Sequence, residues 1–361
     1  MAKVKVGIIG ATGYAGAEIL RLLLMHRDAE VVWIGSRSFQ GKEIASEYPN
    51  LRSFTDLVLI DDDTDRLKEG RILELAENVD VIFTATPQGA CASLMSDELL
   101  KRTKIIDMSA DFRLKDVAVY EKWYKITHLA PQFLSEAVYG LTELHREEVK
   151  NARILANPGC YTTCSILTAY PLVKAGVIDP STLIIDALSG VSGAGRSGKV
   201  ANLFSEVNES AKAYGVASHR HTPEIEQELS LASGEAFTLT FTPHLVPMNR
   251  GILATEYATL TKKADGSLWT EDEIRAIYEA AYGNEAFIRL LPAGVCPDTR
   301  AVEGTNLVDI NFKLDPRTGR IILMGALDNL MKGAAGQAVQ NMNVMFGLPE
   351  TEGLEFIPVM P

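Results

Sequence analysis

Residues 3–9 (KVKVGII) form an apolar run closed by Gly10, the pattern of a buried strand. Across Tyr14–Met25 the apolar positions move to helical spacing, through Ile19, Leu20, Leu23 and Leu24. Residues 31–34 (VVWI) give a second short strand. Strand, glycine-bearing turn, helix, strand is a βαβ unit, and a helical crossover between neighbouring strands makes them parallel. The alternation continues with a strand at 79–85, a helix at 91–101 and strands at 104–108 and 152–156. The last of these stops at Asn157-Pro158-Gly159, and a helix is expected over 160–175. This part of the chain reads as a doubly wound nucleotide-binding domain.

The pattern then changes. Residues 182–188, 236–247, 253–260, 306–314 and 320–326 are strand-like, many of them alternating or β-branched, with helical stretches such as Glu271–Tyr282 between them. They predict an α+β second domain with a mostly antiparallel sheet. A final helical stretch at 329–346, rich in Ala, Gly and Asn, is expected to return to the first domain. The expected fold class is α/β: a Rossmann-type dinucleotide-binding domain of residues 1–157 plus 329–361, and a catalytic and oligomerisation domain of residues 158–328.

Composition narrows the function without altering that picture. With 361 residues the chain is long enough for two domains. A net charge of −12 argues against nucleic acid and anionic membrane surfaces as partners, while leaving room for a local basic pocket. No apolar run reaches the roughly 20 residues of a membrane span, and the first residues lack the layout of a signal peptide, so a cytoplasmic protein is expected. Four cysteines, Cys91, Cys160, Cys164 and Cys296, are too few for a disulfide framework, and no matching Cys/His cluster suggests a metal.

The first strand leads into Gly10, Ala11, Thr12, Gly13, Tyr14, Ala15 and Gly16. The spacing G-x-x-G-x-x-G departs from G-x-G-x-x-G, but the physical task is the same. Glycines let the backbone approach a pyrophosphate, and the helix N-terminus stabilises its charge. At the end of the second strand stand Ser36 and Arg37, where an NAD enzyme often carries Asp or Glu for the ribose hydroxyls. A hydroxyl and a guanidinium suit a 2′-phosphate, so NADP is the expected cofactor.

Asn157-Pro158-Gly159-Cys160-Tyr161 carries the candidate chemistry. Pro and Gly end the strand and put Cys160 at a helix start, where unpaired N–H groups and the dipole favour a thiolate. Such a thiolate attacks acyl phosphates or esters, and nearby N–H groups can hold the oxyanion. Cys164, Cys91 and Cys296 read as packing. Of six histidines, His26 and His145 lie in charged, helical segments and are expected to be exposed. His219 and His221, in a run that ends at Pro223, share a face if the segment is extended, so that one can do acid/base work while the other holds substrate. The spacing alone leaves open which does which. The glycine-bearing loop 189–196 reads as flexible and able to close over a nicotinamide or phosphate, with a plain turn as the competing reading. Arg113, at a strand's C-terminal edge, suits a carboxylate or phosphate, or else is a solvated loop charge.

Six segments, GATGYAG (10–16), SADFR (109–113), NPGCY (157–161), SGVSGAGR (189–196), HRHTPEI (219–225) and DNLMKGAAGQAVQN (328–341), resemble, in order, the N-acetyl-gamma-glutamyl-phosphate reductase family of the aspartate-semialdehyde dehydrogenase superfamily. Thr162 stands where that family usually has Pro. The resemblance implies NADPH-dependent reduction of an acyl phosphate, in arginine biosynthesis, through a Cys160 thioester. It implies His219 as the acid/base residue, with His221 in that role as the alternative, and Arg113, Asn157 and His221 at the substrate. Pro87, Gly193 and Asn329 would lie near the cofactor, and the protein would be a homo-oligomer, tetramer or dimer. The competing readings are a homologous reductase of aminoadipyl phosphate in lysine biosynthesis, and a non-catalytic NADP-binding scaffold.

Overall fold

A computed structural model describes residues 2–360. The chain forms two compact units. The first holds the residues up to Pro158 together with Ala334–Glu355, and the second holds Gly159–Gly333 together with the residues from Phe356 onward.

The first unit is built on seven strands: β1 (Val4–Ile9), β2 (Ala29–Gly35), β3 (Leu59–Ile60), β4 (Val81–Thr84), β5 (Lys104–Asp107), β6 (Val138–Tyr139) and β7 (Ile154–Ala156). They lie in the order β3-β2-β1-β4-β5-β7-β6, and every neighbouring pair is parallel. The strand order reverses between β1 and β4, the position where open α/β sheets bind ligands. β4 is buried at all four positions, as expected of a strand covered on both faces.

Two local expectations change. The helix expected at 91–101 is two helices, Ala90–Leu94 and Asp97–Arg102, because Ser96 turns extended and accepts a hydrogen bond from Leu99 N–H as a new N-cap. His26 is buried, not exposed: its Nε2 lies 2.8 Å from Asn343 Oδ1, and Asp28 N–H donates to its Nδ1 at 3.1 Å. A charged local sequence gave no hint of a partner 317 residues away.

The second unit carries β8 (Ile184–Ser189), β9 (Lys212–Ala213), β10 (Thr240–Leu245), β11 (Ile252–Thr259), β12 (Ile288–Leu290), β13 (Val308–Asp315) and β14 (Arg320–Leu327), in the order β12-β13-β14-β11-β8-β10-β9. Two of these pairs, β12 with β13 and β8 with β10, are parallel, and the rest are antiparallel. Along β11, Ile252, Ala254, Glu256 and Ala258 are buried, and the residues between them are more open. The Cys160–Lys174 helix packs on β11 and β14 and against the helices Thr222–Ser233 and Glu271–Tyr282. Pro171 lies inside it and has no N–H for the carbonyl of Leu167; Tyr282 OH donates to that carbonyl at 2.8 Å. Tyr278 OH donates to the neighbouring carbonyl of Thr168 at 2.6 Å.

Candidate active site

In the first unit the glycine turn is shaped by close approach. Gly10 has φ +79°, and a Cβ there would lie 2.3 Å from the carbonyl oxygen of Ala85. A Cβ on Gly16 would lie 2.3 Å from the carbonyl oxygen of Gly10, so neither position admits another residue without backbone movement. Gly13 is the N-cap of the Tyr14–Met25 helix and brings no capping side chain, which leaves that helix's first N–H groups for a ligand such as a phosphate. Tyr14 is exposed, and Thr12 and Ala15 are half-buried, along the same turn. Thr12 Oγ1 and Ser36 Oγ lie 2.8 Å apart, and Arg37 is exposed just beyond β2. The donors and the absence of side chains fit a dinucleotide phosphate group.

Asp62 lies outside every motif of the sequence. Its carboxylate accepts Gly10 N–H at 2.7 Å; burial pushes its pKa up, and Arg37 pulls it down. Three consecutive acidic residues after an apolar run, 61–63, were the available cue. Asp111 stands within the SADFR motif. It ties the loop holding Pro87 to the SADFR segment, accepting from Gly89 N–H at 2.7 Å, Ala92 N–H at 3.0 Å and Tyr120 OH at 2.7 Å. Burial, then the charge of Asp111, raises buried Asp107 to about 7. Arg113 is buried rather than solvated: its Nε donates to the carbonyl of Asn157 at 2.7 Å and its Nη2 to that of Met108 at 2.9 Å. The Asn157 side chain donates to the carbonyl of Ala334 at 3.0 Å and accepts from Asn341 Nδ2 at 3.2 Å.

In the second unit Gly159, with extended backbone, is the N-cap of the Cys160–Lys174 helix, and Cys160 is its half-buried first residue. Buried Glu224 accepts Gly159 N–H at 2.9 Å and lies 2.8 Å from Thr162 Oγ1, fixing the cap from the far end of the HRHTPEI motif. Gly333 presses on Cys160: a Cβ there would lie 2.8 Å from Cys160 Cβ.

His219 and His221 are neighbours, with ring centroids 4.8 Å apart. His219 is also edge-on to Tyr161 at 5.6 Å, Tyr214 at 5.4 Å and Phe241 at 5.4 Å. Tyr214 OH donates to Tyr161 OH at 3.0 Å, and Tyr161 OH donates to the carbonyl of His244 at 3.2 Å. Burial, then the charge of Arg220, lowers His219 to about 4. Glu224 and Tyr161 lie inside the HRHTPEI and NPGCY motifs, whose pattern does not single them out, and nothing local marks Tyr214.

The 189–196 loop, expected to be flexible, contains a short helical turn, Val191–Ala194, tied at several points. Val191 N–H donates to the carbonyl of Met248 at 2.9 Å and Ser192 N–H to that of Asn249 at 3.1 Å. Asn329 Nδ2 donates to Ser192 Oγ at 2.9 Å, and its Oδ1 accepts Gly251 N–H at 2.8 Å, so Gly193 and Asn329 do come together. Cys91 and Cys164 are buried and their thiols are pushed up, chiefly by desolvation, which suits packing roles. Cys296 is exposed. No helix of the described residues is long and apolar enough to cross a membrane.

The family model described as the semialdehyde dehydrogenase NAD-binding domain matches residues 5–152, and that described as the semialdehyde dehydrogenase dimerisation domain matches 160–329. A protein of Lachnospira eligens named N-acetyl-gamma-glutamyl-phosphate reductase is 62% identical over 360 residues, 99% of this chain and 100% of the relative. One of Moorella thermoacetica with the same name is 49% identical over 99% of this chain and 100% of its own length. The crystal structure of aspartate semialdehyde dehydrogenase II from Vibrio cholerae, complexed with ASA, superposes with a TM-score of 0.69 at 16% identity, over 96% of this chain and 99% of that one, a likeness of fold. The first unit is thus a nicotinamide-dinucleotide-binding domain and the second a dimerisation domain, and the chain belongs to the N-acetyl-gamma-glutamyl-phosphate reductase family of the semialdehyde dehydrogenases.

Proposed function

We propose that this protein reduces N-acetyl-gamma-glutamyl phosphate to N-acetylglutamate semialdehyde and releases phosphate, a step of arginine biosynthesis, with NADPH as the reductant. The observation that carries this reading is Cys160 at the first position of a 15-residue helix, with Gly159 as its cap and Gly333 against it. Unpaired N–H groups and the helix dipole favour the anionic form of a sulfur placed there. The thiolate attacks the acyl carbon, the carbon–sulfur bond forms, and the bond to the phosphate oxygen breaks, leaving a thioester on Cys160. NADPH held by the glycine turn would supply the hydride that reduces this thioester. Cys160 then departs as thiolate and the aldehyde is free to leave. Arg113, anchored by the carbonyls of Asn157 and Met108, serves the substrate's anionic groups through its fixed positive charge. His221 and Asn157 serve the substrate's polar atoms, and His219 is the acid/base residue, with His221 as the alternative in that role. Ser36 and Arg37 favour NADP over NAD, with Thr12, Gly13, Tyr14, Ala15 and Pro87 on the dinucleotide and Gly193 and Asn329 toward the nicotinamide.

The outer face of the second sheet supports a homo-oligomer built from dimers. Ile184 and Leu188 are exposed there, with half-buried Leu253, Tyr257, Ile322 and Met324 alongside. Four cysteines outside any disulfide suit a reducing cytoplasm. The deciding assay runs the reaction backwards, with N-acetylglutamate semialdehyde, phosphate and NADP. NADPH is expected to form with the wild type and not with Cys160→Ser; equal rates would remove the thioester.

A further inference from the structure

Asp62 follows β3 and stands where the carboxyl ends of β1, β2 and β3 meet. Gly10 N–H, at the start of the glycine turn, donates to its Oδ2 at 2.7 Å. Gly35, the last residue of β2, makes room for it: a Cβ there would lie 2.6 Å from Asp62 Cβ and 2.8 Å from Oδ2. Backbone bonds fix the three strand ends to one another. Ala11 N–H donates to the carbonyl of Gly35 at 2.9 Å, and Ser36 N–H to that of Ile60 at 3.0 Å. A carboxyl group is thus built into the crevice where a doubly wound sheet takes its dinucleotide. The turn for the phosphates leaves from one side of it, and Ser36 and Arg37 leave from the other.

Few groups support a negative charge at this position. Burial disfavours the anion most, and the charge of Asp61 adds to that effect. Asp61 stays ionised itself, held low by the N–H of Asp63 and by Arg66, with Arg71 at 4.0 Å. Against these stand the Gly10 N–H and the guanidinium of Arg37, just past β2. The glycine turn, residues 10–16, brings no charged side chain. The ionised form of Asp62 therefore leans on one N–H and one guanidinium, and the guanidinium is the group assigned above to the cofactor's 2′-phosphate.

A 2′-phosphate on Arg37 takes over that guanidinium and adds negative charge of its own. Like charges disfavour each other's ionised forms, so the carboxylate becomes the group to be neutralised. Oδ2 already accepts from Gly10, which leaves Oδ1 for a proton. A protonated Asp62 can still accept Gly10 N–H through Oδ2, so the turn keeps its shape. We infer that Asp62 takes up a proton from solvent, on Oδ1, when NADP seats its 2′-phosphate on Arg37, and that this carboxyl ties the preference for NADP over NAD to pH. The sign follows from linkage: a ligand whose binding takes up a proton binds more weakly as pH rises. NAD brings no 2′-phosphate and asks for no such proton, so the preference for NADP narrows toward alkaline pH. The inference rests on the NADP reading proposed above; the Gly10–Asp62 contact is a property of the protein alone.

Calorimetric titration of the full-length protein with NADP and with NAD, in buffers of different ionisation enthalpy, counts the protons taken up on binding. From about pH 7 to 8.5 a phosphate monoester, with its second pKa about 6, is almost wholly dianionic and has little proton to release. In that range the wild-type count with NADP should exceed the count with NAD by about 0.3 to 1 proton. Equal counts, or a net release, overturn the inference, and this comparison needs no variant. Asp62→Asn keeps an oxygen for Gly10 N–H and places an amide where the proton would sit. It should abolish the excess. It should also bind NADP about tenfold more tightly than wild type at about pH 8.5, with the advantage shrinking toward about pH 5.5. An excess that survives in the variant, or an advantage independent of pH, overturns the inference. NADP held no more tightly than NAD by the wild type would defeat the NADP reading and the inference with it, whereas tight NADP binding without a proton excess removes the inference alone.

Discussion

Glu256 sits in the middle of β11 with no exposed surface, and neither carboxylate oxygen has a hydrogen-bond partner among the described residues. Burial pushes its pKa well above the ordinary value, so the folded protein holds a proton there that the unfolded chain releases. The linkage has a definite sign. The group's contribution is fully present below the unfolded pKa and is lost as pH rises toward the folded one. Glu256→Gln should therefore raise the melting temperature relative to wild type at about pH 8, with the gain shrinking toward about pH 4. A gain independent of pH would show that proton uptake is not the cause. At the cofactor end, Arg37→Ala should raise KM for NADPH by about tenfold or more and leave KM for NADH nearly unchanged. Equal losses for both would remove the 2′-phosphate contact. The positions of Arg37, just past a strand end, and Cys160, at a strand–helix junction, were legible because each stands in a short local pattern. Glu224 and Asp111 were not assigned, since their partners Gly159 and Gly89 lie 65 and 22 residues away.

At the level of elements, hydrophobic spacing located most strands and helices because it reports which side of each is dry. It could not report breaks. Ser96 divides the helix expected at 91–101 by capping a new one, and Pro171 lies within the Cys160–Lys174 helix, where a tyrosine hydroxyl replaces the missing N–H. The final stretch likewise starts as a π-type turn at Met331–Ala335 before the Gly336–Met345 helix. That turn places Gly333 against Cys160. Gly333→Ala should cost about 1–3 kcal/mol through overpacking and displace the sulfur. The expected result is a lower melting temperature together with slower Cys160 alkylation; an unchanged alkylation rate would mean the turn, not the helix start, absorbs the methyl group.

For the whole molecule, the alternating pattern of the second sheet leaves Ile184 and Leu188 on a face that nothing in the chain is needed to explain as core. Leu188→Glu should shift the protein toward monomer in sedimentation velocity, because a carboxylate in an apolar interface is left without a partner. Unchanged sedimentation would place the subunit contact elsewhere. The order of apolar positions, by itself, determined that there is a parallel nucleotide-binding sheet followed by a mostly antiparallel one, since periodicity encodes burial locally. The glycine turn and the NPGCY junction also declared themselves as strand-to-helix turns, since such turns depend on backbone conformation over a few residues. Only the tertiary structure decided which carboxyl is stranded in the core, and that His26 is buried. Those properties depend on dielectric and on donors and acceptors brought from distant parts of the chain, which no local pattern records.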